Sequence, residues 1–131
     1  MSTADNCSPS RTTGPPPITP MMTGDIEPLD LVTIRATIRR ALAVRPRPPR
    51  AAEVREITAA LREHLRRMLH VARQRAELTE RGTGAWIQWT AVIGRVEDDL
   101  ARVPAPGRTT AAMHMDDLGR TARRLVDCLD E

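Results

Sequence analysis

The amino-acid sequence predicts an all-α protein, a four-helix up-and-down antiparallel bundle with a disordered N-terminal tail. Apolar residues recur at spacings of three and four along four segments, and short connections rich in proline or glycine separate these segments. No useful length of chain alternates apolar and polar residues with a period of two, so no strand is predicted. At 131 residues the chain has the usual size of one domain.

Residues 1–27 are expected to form the disordered tail, and residues 28–131 the helical bundle domain. The tail consists largely of Ser, Thr, Pro, Gly and Asp, so burial of its side chains would not offset the entropy lost on ordering. Met21 and Met22 offer an alternative in this segment. Either could be the true first residue, and residues 1–20 would then not be translated.

The first predicted helix covers about residues 30–44, with Asp30 as its N-cap. It ends at the RPRPPR segment, residues 45–50, because proline removes a backbone donor and disfavours helical angles in the residue before it. We expect this linker to be extended. The apolar stripe of the helix consists of Leu31, Ile34, Ile38, Ala41 and Leu42.

The second predicted helix begins near Arg50 or Ala51 and has no proline or glycine before Gly82, so it extends for about 30 residues, or about 45 Å. It is longer than its neighbours, and part of its apolar stripe should therefore lack a cover within the bundle. A second copy of the chain or another protein would cover it, which predicts a homodimer or a protein partner. The stripe consists of Val54, Ile57, Leu61, Leu65, Met68, Ala72 and then Ala76 or Leu78.

The third predicted helix covers about residues 85–102 and shows the most regular spacing in the chain. Its apolar residues follow one another at intervals of three and four, which predicts a single core-facing stripe. Because the chain contains no Phe or Tyr, we expect the two tryptophans to be the largest side chains of the core. The stripe consists of Trp86, Trp89, Ile93, Val96 and Leu100.

The fourth predicted helix starts after Thr109 or Thr110, either of which is suited to act as its cap, and continues to about Leu129. Its charged residues lie away from the apolar face. The apolar stripe consists of Ala111, Met115, Leu118, Ala122, Leu125 and Leu129.

Arginine supplies all 20 basic side chains, and the net charge is only +3 because 17 acids oppose them. The absence of Lys, Phe and Tyr is typical of a GC-rich genome, since those residues have A/T-rich codons. Three arginines of the linker, Arg45, Arg47 and Arg50, have no nearby acid in the sequence and are candidate partner-binding residues. The alternative is that the linker is only a stiff connector.

The chain lacks the residue patterns that most enzymes and metal sites use. No His or Cys pair has zinc-ligand spacing, and the three histidines are expected to be solvated or partly packed. No cofactor or metal is predicted. One enzyme hypothesis remains open, in which the acids Glu97, Asp98 and Asp99 meet Asp116 and Asp117 across the third and fourth helices.

Nucleic-acid binding is a second alternative, carried by the arginines of the second helix and the linker. The acids interleaved with those arginines favour a solvated face instead. No apolar segment reaches the roughly 18 residues of a membrane helix, so no membrane association is predicted. With only two cysteines, far apart, a reducing cytoplasm is the expected location.

Four segments together resemble a small actinobacterial family of uncharacterised proteins labelled natural product biosynthesis proteins. The segments are DLVTIRATIRRAL (30–42), EVREITAALREHLRRML (53–69), RVEDDL (95–100) and MDDLGRTARRLVDCLD (115–130). The resemblance covers about residues 28–130 and implies a Streptomyces-type source and a role beside genes of secondary metabolism. It defines no functional residue. The expected function is therefore that of a non-catalytic binding or accessory protein that acts through protein–protein contacts.

Overall fold

Four helices make up the part of the chain that the computed structural model describes, residues 28–130. They are α1 (Leu31–Leu42), α2 (Ala51–Glu77), α3 (Gly84–Ala101) and α4 (Arg108–Leu129), and no strand occurs within this range. The predicted all-α bundle is confirmed. The prediction of a disordered tail over residues 1–27 lies outside the described residues.

Neighbouring helices run antiparallel, as an up-and-down bundle requires. The start of α1 lies near the end of α4, where Arg35 pairs with Asp127 and Asp130 at 3.1 Å. α2 and α4 run parallel through the centre, while α1 and α3 pack on opposite sides of them and do not contact each other. α3 therefore lies at an edge of the bundle and has only two helical neighbours.

The core is built from aliphatic side chains, and the prediction that the tryptophans are its largest members is wrong. Trp89 is only partly buried against the core, and α3 instead buries Val92, Val96 and Asp99. Of the predicted stripe, Val96 is buried and Trp89, Ile93 and Leu100 pack partly buried against the core, so the buried face is turned toward Val92 without leaving the stripe. The largest fully buried side chains include Ile34, Ile57, Leu61, Leu65, Met68, Leu118 and Leu125.

The helix starts depend on local hydrogen bonds. Asp30 caps α1 as predicted, since its carboxylate accepts hydrogen bonds from the backbone N and the hydroxyl of Thr33 at 3.1 and 2.7 Å. These two bonds lower the pKa of Asp30, the hydroxyl bond most. At α4 the predicted threonine cap is wrong. Gly107, with φ of 129°, ends the loop and starts the helix at Arg108 without any side-chain cap.

α2 is the longest helix, as predicted, with 27 residues and a length of about 40 Å. The predicted lack of cover is confined to the end of the apolar stripe, which is otherwise buried from Val54 to Ala72. α3 and α4 reach far enough to cover it, and Arg75 near its end donates to the carbonyl of Leu129 at 2.8 Å. Only Leu78, just beyond the helix, stays 89% exposed.

α1 and α4 approach each other closely at Gly119, which is buried. A Cβ atom at this position would lie 3.0 Å from Leu42 Cδ2 and 3.1 Å from Ala41 Cβ. The absence of a side chain at Gly119 therefore permits the observed separation of the two helices. Across residues 28–130, no helix combines the length and the apolar composition needed to cross a membrane.

Candidate functional site

The linker carries the three arginines that the sequence singled out. Arg45 is not unopposed: its guanidinium donates to the carbonyl of Arg40 at 2.6 Å and lies 3.5 Å from a carboxylate oxygen of Glu53. The expectation that no acid offsets the linker charge is thus wrong at Arg45. Arg47 and Arg50 are exposed and make no ion pair with the described residues. The structure therefore leaves two of the three candidates available to an external group.

The linker and the first half of α4 enclose an open groove of about 720 Å³, which we call the linker groove. Arg108, the first residue of α4, donates a long hydrogen bond of 3.3 Å to the carbonyl of Pro49 in the linker. Arg45 and Arg47 line this groove, whereas Arg50 does not. The complete lining consists of Ala41, Ala43, Arg45, Pro46, Arg47, Pro48, Pro49, Arg108, Thr109, Ala112, Met113, Met115 and Asp116.

The acids of α3 have three different environments. Glu97 pairs with Arg73 of α2 at 2.6 Å, and Asp98 is exposed. Asp99 is 1% exposed and accepts a hydrogen bond from the hydroxyl of Thr121 on α4. The three carboxylates therefore do not form one site. Glu97 links α3 to α2 at the surface, Asp98 faces solvent and Asp99 is buried.

Asp99 is the buried polar residue that sequence reasoning missed. Its Oδ1 lies 3.0 Å from a nitrogen of Arg102 without forming an aligned hydrogen bond, and its Oδ2 lies 3.5 Å from Nε of Arg95. The sequence did contain a signal for this burial, because Val92, Val96 and Asp99 follow one another at spacings of four and three, as residues on one helix face do. A buried carboxylate needs such partners, since an unpaired charge in the core is costly.

The two acids near the start of α4 pair within their own helix. Asp116 and Asp117 lie 2.6 and 3.6 Å from the guanidinium of Arg120. Within residues 28–130, no group of three or more His, Cys, Asp or Glu side chains is placed to hold a metal ion. Four of the five carboxylates that the enzyme hypothesis required are thus paired with arginines, Asp98 is exposed, and no metal cluster unites them within residues 28–130.

His114 is buried, with 6% of its surface exposed, so the expectation of a solvated or partly packed side chain is wrong there. Its Nδ1 is buried without a hydrogen-bond partner. Burial lowers the pKa of His114 below its ordinary value, and the charges of Arg62 and Arg102 lower it further, against the opposing charges of Asp117 and Asp99. The ring is therefore held neutral near pH 7.

The other two histidines agree with the expectation. His70 is exposed, and His64 is half-buried with its Nε2 3.2 Å from the hydroxyl of Thr37 on α1. Burial lowers the pKa of His64, and the charge of Arg67 adds to that effect, opposed by Glu63 and Asp30. His64 belongs to the contact between α1 and α2, and the structure does not bring it to the groove.

The first half of α3 presents apolar residues to solvent. Residues 84–94 contain no charged side chain, although this helix lies at an edge of the bundle. Ile87 is 57% exposed, and Trp86 and Trp89 are partly exposed. We call the first turns of α3, with Trp86, Ile87 and Trp89, the α3 surface; Trp86 lies between Ile87 and Trp89, which are about 160° apart around the helix. An uncharged helix of this kind is usually buried on more than two sides, so this surface is a candidate contact for another protein.

The arginines of α2 are largely engaged inside the protein. Arg62 donates to the carbonyl of Leu100 at 2.7 Å, and Arg66 and Arg67 lie 3.8 and 3.5 Å from Glu63. Arg73 and Arg75 also bond to other helices. Such pairing reduces the positive field that a nucleic-acid surface on α2 would need.

Comparison with known proteins adds one finding. Residues 32–131 match a protein family that is described as a family of unknown function, DUF6415. No curated protein and no solved structure matches the chain. The matched segment includes both the linker groove and the α3 surface.

Proposed function

The chain belongs to this family of unknown function, and from that premise we propose that it is a non-catalytic binding or accessory protein that acts through protein–protein contacts. The observation that carries the proposal is the α3 surface. Its aromatic and aliphatic side chains lie on the outside of a folded bundle, and aromatic residues are enriched at protein interfaces.

Two features of the structure agree with a contact role for α3. The helix starts with a formed cap, because the Thr83 hydroxyl accepts from the backbone N of Trp86 at 3.2 Å, so the surface is presented on a regular helix. Its core-facing side is already occupied by Val92 and Val96. Trp89 also packs partly buried against the core, and a contact with another molecule would bury the surface that Trp86 and Trp89 leave exposed.

The resemblance noted above supports a finer proposal, in which the protein serves natural product biosynthesis in the cytoplasm of an actinobacterium of the Streptomyces type. The proposed partner is another protein of that process or a second copy of the chain. No catalytic step is proposed, because Glu97, Asp99 and Asp116 are paired with arginines or with Thr121.

The test is capture of partners by the tagged full-length protein in its native cell, with chemical cross-linking. Ile87→Glu places a charge in the α3 surface and should abolish the capture of specific proteins, because desolvating that charge opposes association. Val32→Glu is the matched control, since Val32 is 79% exposed on α1, away from α3. Equal capture by both variants, or no specific protein with the unmodified chain, would contradict the proposal.

Sedimentation velocity at about 50 µM distinguishes the two kinds of partner. A dimer that becomes a monomer in Ile87→Glu identifies the partner as a second copy. A monomer in both forms, together with captured protein, identifies a different chain.

A small regulator that binds nucleic acid is the second candidate. The observation in its favour is that Arg47 and Arg50 make no ion pair with the described residues. Under this candidate, the capture experiment recovers nucleic acid, and Arg47→Gln with Arg50→Gln removes it while Ile87→Glu does not.

A further inference from the structure

The linker groove has an apolar floor that the fold leaves open. Its floor is formed by Ala41 at the end of α1 and by Ala112, Met113 and Met115 on α4, and three linker prolines form a wall. Met113 is 62% exposed although it lies beside these apolar neighbours. The volume of about 720 Å³ lies within the roughly 300–1,000 Å³ that small-molecule sites occupy.

Positive charge lies at the edge of this apolar floor. Arg47 is exposed and makes no ion pair with any residue in the range 28–130, and Arg108 bonds only weakly to the carbonyl of Pro49 at 3.3 Å. Asp116, the acid in the lining, pairs with Arg120 at 2.6 Å. The charge that the groove offers to a ligand is therefore positive.

The groove and the α3 surface lie at opposite ends of the bundle. The linker precedes the first residue of α2, whereas α3 begins just after α2 ends, and α2 is about 40 Å long. A molecule in the groove therefore leaves the α3 surface accessible, and occupation of the groove is independent of the protein contact proposed above.

We propose that the linker groove binds a small organic anion with an apolar body, such as an alkyl carboxylate or an alkyl phosphate. The apolar body lies on Met113 and the linker prolines, and the anionic group accepts hydrogen bonds from the guanidinium groups of Arg47 and Arg108. Guanidinium groups suit both headgroups, because they bind carboxylate and phosphate oxygens with paired N–H donors.

Methionine methyl groups provide the measurement. The full-length protein, labelled with ¹³C-methyl methionine, is titrated with decanoate and with decyl phosphate to about 2 mM. The Met113 methyl signal, assigned by Met113→Leu, should shift with saturation because Met113 is 62% exposed, while the signal of Met68 stays in place because Met68 is 0% exposed in the core. The stronger of the two probes identifies the headgroup that the groove prefers.

The charge contribution is tested with Arg47→Gln combined with Arg108→Gln. Both side chains are at the surface, so the fold should persist, and the affinity for the better probe should fall about tenfold. Arg123→Gln with Arg124→Gln is the matched control, because these exposed arginines of α4 do not line the groove, and it should retain the original affinity.

Three results would overturn the proposal. The first is the absence of a Met113 shift with both anions. The second is equal binding of decanol, which has the apolar body without the charge. The third is an affinity for inorganic phosphate equal to that for decyl phosphate, which would show that the apolar floor contributes nothing.

Discussion

At the scale of single residues, Asp99 has an unusual position for a carboxylate. It lies at 1% exposure between α3 and α4, and its nearest partners are Thr121 and Arg102. A hydrogen bond requires a particular distance and angle between its two atoms, so a buried polar pair restricts the relative position of two helices more than apolar contacts do. We infer that the pair helps to fix how α3 is rotated and positioned along α4.

The hydrogen bond between Thr121 and Asp99 can be tested by Thr121→Val, which keeps the side-chain shape. We expect the free energy of unfolding to fall by about 2 kcal/mol, because Asp99 would remain buried without this donor. Urea denaturation measures the change. Thr90→Val is the control, since Thr90 is exposed and its hydroxyl donates to the carbonyl of Trp86, and it should cost less than about 0.5 kcal/mol. An equal decrease in the free energy of unfolding in the two variants would show that the buried hydrogen bond contributes no more to stability than the exposed one.

At the scale of helices, α1 and α4 pack closely at Gly119 because this residue has no side chain. An alanine in a helix normally stabilises it by about 1 kcal/mol relative to glycine. At Gly119 the added methyl group would meet Ala41 and Leu42 at 3.0–3.2 Å, and Ala41 cannot move without its helix. The packing cost therefore opposes the gain in helix propensity.

We expect Gly119→Ala to lower the free energy of unfolding by about 1 kcal/mol, since overpacking costs about 1–3 kcal/mol. Gly94→Ala is the matched substitution in α3, because no atom lies within 4 Å of a Cβ at that position. It should raise the free energy of unfolding by about 1 kcal/mol. Thermal and urea unfolding of the two variants measures both changes. A change of the same sign in both variants would contradict the prediction.

The helices differ in how well sequence predicts them. The cap at Asp30 and the buried stripe of α2 depend on local spacing, so periodicity was sufficient to predict them. On α3 the regular spacing of Trp86 and Trp89 indicated a core face, but the packing surfaces of α2 and α4 select the valines. Which side of α3 is buried depends on contacts with other helices, and the spacing of residues within α3 carries no information about those contacts.

The candidate surfaces show the same division. Arg45 and Arg47 were predicted from the linker sequence, and both line the groove. Met113 and Arg108, which complete it, come from a segment about 60 residues later, and only the folded bundle brings them beside the linker. The ion pair between Arg45 and Glu53 is likewise evident only from the folded structure.

At the scale of the whole molecule, two histidines couple stability to pH. The pKa of His114 is lowered by burial and by Arg62 and Arg102, and that of His64 by burial and Arg67. Below about pH 6.5 the unfolded chain gains protons at these positions that the folded chain resists. The free energy of unfolding should therefore decrease as the pH falls from 7 toward 5.

The measurement is urea denaturation between pH 7 and pH 5, a range chosen to lie above the ordinary titration of the carboxylates. His64→Gln combined with His114→Gln should flatten the pH dependence, because neither position then binds a proton. His70→Gln, at an exposed position, should keep the original slope. An unchanged slope in the double variant would assign the pH dependence to other groups.

Two separate faces, the linker groove and the α3 surface, allow one small bundle to hold a ligand at one end and a protein at the other. The long α2 connects the two ends and is buried along most of its stripe. Each face contains one large exposed apolar side chain, Ile87 on the α3 surface and Met113 in the linker groove.

The position of the two tryptophans has an optical consequence. The chain contains no tyrosine or phenylalanine, so Trp86 and Trp89 account for all of its aromatic side-chain fluorescence. Both are on the α3 surface and are partly open to water. Emission from the unlabelled protein therefore originates in a single patch, and its colour reports whether that patch is wet or covered.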